Sequence, residues 1–265
     1  MEEEHFRTSR RAVGDAHGLD ATRPLGRLAL AVVWAGFGTG GPRPSAREVW
    51  AAAGVERSAL ASTALCLGVA GRVDAAADAT ASAAAAAAAT ATAAALDALR
   101  QARVPVVLTL EQVRSGGVGA LPPDAVVHVC ENPTIVEVAA DRWARATGGR
   151  DPVLVCTSGQ PSFAVVALLE HLTAGGAECR YHGDFDLAGL RIASALAARV
   201  PWVPWRFGAD DYRLVARDDD ASLELAGRPA LSPWDSRLAA AMAEIGRAVE
   251  EEAVADLLVA DLLTG

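Results

Sequence analysis

The chain contains no lysine, so all 24 of its Lys/Arg residues are arginine. Every fixed cation is therefore a planar guanidinium, suited to two-pronged contact with phosphate or carboxylate, although a GC-rich coding bias produces the same composition. Cysteine is scarce too. Cys66, Cys130, Cys156 and Cys179 are scattered without C-x-x-C spacing, which argues against a zinc ribbon or a disulfide framework and leaves them as small buried hydrophobes. No apolar run of about eighteen residues is long enough to span a bilayer as a helix. The first residues, Met1-Glu2-Glu3-Glu4-His5, are acidic where a signal peptide is basic and then apolar, so the expected compartment is the cytoplasm. Tyrosine occurs only as Tyr181 and Tyr212.

What is present is apolar bulk: 52% of the 265 residues are hydrophobic, enough for one large or two modest packed domains. The net charge of −9 is unevenly spread. Residues 209–265 hold 13 acidic residues against 5 arginines, whereas residues 1–208 hold 20 against 19. A nearly neutral body argues against tight autonomous binding to nucleic acid through counterion release, and the acidic C-terminal region, densest at Asp218-Asp219-Asp220, suits solvent or a basic partner.

Residues 1–12, with Arg7, Arg10 and Arg11 among polar neighbours, read as a loose lead-in or the cut edge of a longer protein. A helix is expected from about Pro24, capped by Asp20 or Thr22 and ending near Gly38–Pro42. Ser45 and Glu48 have capping-box spacing before a second helix, Gly54 breaks it, and a third is expected over Arg57–Leu67. That is a helix-turn-helix shape, but only Arg57 lies in its second helix, so core packing fits it better than DNA reading. The alanine-rich stretch 75–98 predicts a helical spacer.

Val104–Leu110 reads as a strand, followed by a short turn or helix at Glu111–Arg114 and a glycine loop. From residue 125 strand and helix alternate: strands at 125–130, 152–156, 178–182 and 203–206, with helices at 135–146, 163–173 and 187–198 between them. Short loops between alternating elements predict an α/β fold, a Rossmann-like parallel sheet with helices on both faces, preceded by a mainly helical N-terminal region. The expected organisation is a helical region over 1–103, the α/β domain over 104–212 and an acidic helical extension over 213–265. Trp202-Val203-Pro204-Trp205-Arg206-Phe207 fits core packing better than base stacking.

Ligands of such sheets bind beyond the carboxyl ends of the strands. Glu131 directly follows the strand at 125–130, and Asp184 and Asp186 directly follow the strand at 178–182. The two-residue spacing across Phe185 lets both aspartates face one way in an extended segment. Three carboxylates brought together repel one another unless a hard cation such as Mg²⁺ joins them. Taken alone, a D-x-D is more often loop polarity and helix capping.

Three segments together resemble a known family: Val127-His128-Val129-Cys130-Glu131-Asn132-Pro133, Thr157-Ser158-Gly159-Gln160-Pro161-Ser162 and His182-Gly183-Asp184-Phe185-Asp186-Leu187-Ala188-Gly189-Leu190. They look like the glutamate, glycine-loop and D-x-D motifs of a Toprim domain, close to those of topoisomerase VI A subunits. With Gly14–Asp20 and Arg47–Val55 added, the chain is similar to the Toprim nuclease subunit of Wadjet-type systems, SMC-like complexes that restrict plasmids. The resemblance implies a Mg²⁺-dependent DNA endonuclease, with Mn²⁺ as a substitute ion. Glu131 would be general acid/base or metal ligand, and Asp184 and Asp186 would hold the metal. Glu250, Glu251 and Glu252, placed in a final helix with an apolar stripe from Leu238 to Ala253, would add a second-metal ligand; the plain alternative is a solvated face.

Gly159 and Gly183 would let backbone approach phosphate, with Ser158, Gln160 and Ser162 as neutral donors near a helix start and Arg191 as a phosphate contact. Capping is the plain role for the serines, and a structural one is favoured for His182. The implied partners are double-stranded plasmid DNA, SMC-like ATPase and kleisin-type subunits and, among the open states, a second copy of the chain; no membrane is implied. Neither tyrosine lies ahead of the sheet, which favours hydrolysis by water over a topoisomerase VI-like tyrosine attack. The remaining rival is a non-catalytic Toprim scaffold that bridges partner subunits.

Overall fold

The computed structural model describes residues 18–19, 22–36, 46, 49–50, 59–72, 82–149, 151–217 and 222–264. The expected lead-in at 1–12, the capping pair Ser45 and Glu48, Arg57, the start of the alanine-rich stretch and Asp218–Asp220 lie outside the described residues. In chain order the elements are α1 (Pro24–Gly36), β1 (Thr63–Leu67), β2 (Gly71–Arg72), α2 (Ala83–Gln101), β3 (Val106–Thr109), α3 (Leu110–Arg114), β4 (Gly117–Val118) and β5 (Val126–Cys130). They continue with α4 (Pro133–Arg145), β6 (Leu154–Cys156), α5 (Phe163–Thr173), β7 (Glu178–Tyr181), α6 (Leu187–Ala197), β8 (Val203–Pro204), α7 (Ala209–Val215) and β9 (Ser222–Glu224). The chain closes with α8 (Leu238–Ile245), β10 (Arg247–Val249), a 3-10 turn (Glu251–Val254) and α9 (Ala255–Thr264).

The fold is mixed α/β. Its six-stranded sheet has the order β3-β1-β6-β5-β7-β8, in which β6, β5, β7 and β8 run parallel and β1 is antiparallel to both β3 and β6. The βα alternation from residue 125 thus folds as its periodicity predicts. Right-handed crossovers then assign the helices to faces. The chain leaves β5 for β6 in one direction and β6 for β7 in the other, so α4 covers one face and α5 and α6 the opposite one. The buried residues divide accordingly. Ile135, Val136, Trp143, Leu258 and Leu262 form one cluster with Cys130 and Cys156; Val165, Leu168, Leu190, Ile192, Phe207 and Tyr212 form the other with Val127, Val129 and Tyr181. Trp205 and Phe207 are both buried, as expected of core packing.

Two expectations need correction. Residues 63–67, read as the end of a helix over Arg57–Leu67, are strand β1, held in the sheet between β3 and β6. The run Thr-Ala-Leu-Cys-Leu is apolar on both sides, and a five-residue apolar run carries no period that separates strand from helix. The sheet therefore draws a strand from the region read as helical. The second correction concerns the C-terminal segment, read as one helix through Glu250–Glu252. Gly246 adopts a left-handed φ of 70° and caps α8; the chain then runs as β10 through Val249 and tightens into the 3-10 turn.

Candidate functional site

Adjacent strands β5 and β7 send their following helices to opposite faces, which opens a crevice at their carboxyl ends. Glu131 enters it from β5, and the extended segment Gly183–Asp186 enters it from β7. Phe185, buried, turns into the core and pairs with β10: its N–H donates to the Val249 carbonyl at 2.9 Å, and Val249 N–H returns a bond to Phe185 O at 3.3 Å. With Phe185 turned inward, Asp184 and Asp186 share the other side. Asp186 also caps α6, its Oδ1 accepting from Gly189 N–H at 2.6 Å, so the capping role and the site role coexist in one side chain with one oxygen left over.

Pairing with Phe185 brings β10 and the acids after it into the crevice. Glu251, fully buried, accepts from the backbone N–H of Glu131 at 3.0 and 3.2 Å through its two oxygens and from Asn132 N–H at 2.6 Å. Its own N–H donates to Asp184 Oδ1 at 2.7 Å. Glu251 therefore joins the backbone after β5 to the D-x-D segment. Its neighbours differ: Glu250 and Glu252 are exposed, and Glu252 accepts a hydrogen bond from the Asn132 side chain. Nothing in Glu-Glu-Glu distinguishes the middle residue, so sequence reasoning could not find this brace.

The electrostatics are those of like charges crowded out of water. Burial first, then the Asp184 and Asp186 charges, push the Glu131 carboxyl up to about 8. Asp184 is raised to about 6 by burial, with Asp186, Glu252 and Glu250 adding to it. Burial also raises Glu251 well above the usual carboxylate range. Among the described residues none of these acids has an arginine or histidine partner. Glu131 Oε2 is buried with no hydrogen-bond partner, and so is the Tyr181 hydroxyl. Gly183 lies against both: a Cβ there would stand 2.6 Å from the Tyr181 oxygen and 3.1 Å from Glu131 Oε2.

The other residues singled out in the sequence divide around this crevice. Ser158 and Gly159, both with positive φ, form the loop after β6, and Gly159 N–H reaches the Glu131 carbonyl at 3.4 Å. Ser158 and Gln160 are exposed. Ser162 is committed elsewhere, capping α5 at Val165 N–H and donating to Thr63 O of β1 at 2.8 Å. Arg191 is half-buried in α6. His182 is buried, its Nδ1 2.9 Å from the Trp205 carbonyl, and burial lowers its pKa to about 4, which fits the structural role. A thiol also belongs to the site. Cys156, paired in register with Cys130, bonds to the Glu131 carbonyl at 3.3 Å, and hydrogen bonds from Cys130 and Ser158 bring it down to about 7. All four cysteines are buried and free.

The donor set is all oxygen and suits a hard cation such as Mg²⁺, which keeps several waters and takes one or two carboxylates from a protein. Glu131 Oε2 and the uncommitted oxygens of Asp184 and Asp186 are the groups that such an ion would use. Among the described residues no three His, Cys, Asp or Glu side chains are already gathered as a ligand cage, so the fit is to an ion that shares its coordination with water and a substrate. No described helix is long and apolar enough to cross a membrane.

No curated protein matches the chain. Residues 8–71 match the domain described as "Protein of unknown function N-terminus (DUF3323)". Residues 106–262, from β3 to α9 and including every acid of the crevice, match "Protein of unknown function C-terminus (DUF2399)"; that span is more than half of the chain, which belongs to this family.

Proposed function

We propose that the chain is a Mg²⁺-dependent DNA endonuclease subunit of Toprim type that works within a Wadjet-type, SMC-like anti-plasmid complex in the cytoplasm. The observation that carries the reading is the crevice between β5 and β7, where Glu131, Asp184 and Asp186 are crowded with no cation among the described residues to neutralise them. Structural acids are paired; acids left repelling one another at a strand-end crevice are the pattern of a site that awaits a charged ligand. The motif resemblance to Toprim supplies the reaction class, and the two matched domains, those of Wadjet-type proteins, support the narrower reading.

Bound Mg²⁺ would polarise a phosphoryl oxygen and lower the pKa of a water. Asp184 and Asp186 each keep one oxygen free for such an ion, because the other is fixed by a backbone N–H. Glu131 can take a proton from the attacking water and return one to the departing oxygen, its carboxyl lying near neutral pH. Hydrolysis is favoured over tyrosine attack, since Tyr181 and Tyr212 are both fully buried and the Tyr212 hydroxyl is tied to the Arg247 carbonyl at 2.6 Å. The test is plasmid cleavage by the chain with and without its partner subunits, comparing Glu131→Ala and Asp184→Ala with the parent. Cleavage that survives both substitutions overturns the reading and favours a bridging scaffold.

A further inference from the structure

The acidic C-terminal region carries five arginines, Arg213, Arg217, Arg228, Arg237 and Arg247. Three of them, Arg213, Arg217 and Arg247, line an open cleft between α7 and the α8–β10 corner; among the described residues Glu244 is the acid beside them, and Ala216 and Ile245 are the apolar wall. Among the described residues the net charge of that lining is positive, within a region whose overall charge is negative. The cleft is held rigidly. Tyr212, one residue before Arg213, fixes α7 to β10 through the bond from its hydroxyl to Arg247 O, and α8 packs along α7.

The cleft also adjoins the segment that leads to the acids. Arg247 opens β10, and the extended chain from there to Glu251 covers about 13 Å at 3.3 Å per residue, about four steps along one DNA strand at 3.4 Å per charge. At a second concave surface the arginines are held more tightly than Arg213 and Arg217. Arg100 and Arg180, at the far end of the sheet, are held at 2.6 Å by Asp151 and Glu178. In the cleft, Arg213 has only an exposed contact to Asp210 at 3.2 Å in its own helix, which is exchanged readily for a phosphate, and Arg217 has no carboxylate partner among the described residues.

We propose that the cleft lined by Arg213, Arg217 and Arg247 holds the phosphate backbone of the DNA next to the reacting acids. This deepens the proposed function and rests on it for the identity of the polyanion. Arg213, in the last turn of α7, and Arg217, in the turn just beyond its Ala216 cap, grip successive phosphates, while Arg247 faces them from β10. The contacts carry no sequence preference, since phosphate is the same at every step.

The test is binding of a fluorescent DNA duplex to the full chain carrying Glu131→Gln, which prevents cutting, across a range of salt. Adding Arg213→Ala and Arg217→Ala should weaken binding about tenfold and lower the slope of log affinity against log salt by about two. Lysine at both positions should restore most of the affinity, and Arg145→Ala, on the exposed side of α4, should leave it unchanged. Equal affinity and slope with and without the two alanines overturns the proposal, as does failure of the Glu131→Gln chain to bind at low salt. Cleavage is read separately: a parent chain that never cuts while the alanines abolish binding removes the nuclease reading and keeps the cleft. A parent that cuts while the alanines bind normally does the reverse.

Discussion

The two ends of the parallel strands treat charge in opposite ways. At the amino ends Asp151 pairs with Arg100 and Glu178 with Arg180, each at 2.6 Å and each partly in solvent. At the carboxyl ends Glu131 and Glu251 are buried and Asp184 half-buried, and among the described residues backbone N–H groups, not arginines, meet Glu251 and Asp184. One end pairs its acids with arginines and the other crowds them without, which is the contrast that the proposed cation site would explain.

The sharpest break of this contrast is isosteric removal of one charge. Asp184→Asn or Glu131→Gln should lower metal-dependent cleavage by about 10²-fold or more, the several kcal/mol that a cation site contributes, while raising the melting temperature of the metal-free protein. A lower melting temperature in both variants would show that these acids are structural.

Next in size is Glu251→Ala, which removes the acceptor from the buried N–H groups of Glu131 and Asn132 and should cost about 2–4 kcal/mol in denaturant unfolding. Glu251→Gln keeps an acceptor oxygen and should cost less. Equal losses would mean that the brace acts through its charge.

The pH dependence is smaller and has a definite sign. Glu131 and Asp184 titrate higher in the folded chain, at about 8 and about 6, than their ordinary values of 4.5 and 3.8. The folded state therefore binds more protons, so their contribution to stability is full below the ordinary values and is lost as pH rises through about 6 and then about 8. The metal-free protein should melt at progressively lower temperature from pH 5 to pH 9. Mg²⁺ should flatten the curve, and Glu131→Gln should remove its upper part. A curve that rises over this range contradicts the crowding. Smallest of all, Arg100→Ala and Arg180→Ala at the amino ends should change stability by less than about 1 kcal/mol and leave cleavage intact, because exposed pairs contribute little.

How much of this was legible varies with the range of the interaction. Alternation of apolar runs and helices from residue 125 predicted four strands and three helices, since each element declares itself through neighbours a few residues away. Glu131, Asp184 and Asp186 were readable because strand ends and a two-residue spacing are local features. Strand β1 was not, because a short apolar run becomes a strand only when β3 and β6 offer it hydrogen bonds from far along the chain. Cys156 looked like any buried thiol until the register of β5 and β6 set it beside Cys130 and the Glu131 carbonyl.

The C-terminal acids divide the two kinds of knowledge most clearly. Sequence alone determined that an α/β sheet would carry carboxylates at its strand ends and that three more glutamates lay near the C-terminus. Only the tertiary structure decided that Glu251 is buried against β5 while Glu250 and Glu252 face solvent. That choice follows from the pairing of Val249 with Phe185, a contact across 64 residues of chain that turns one side chain of three toward the backbone donors of Glu131 and Asn132.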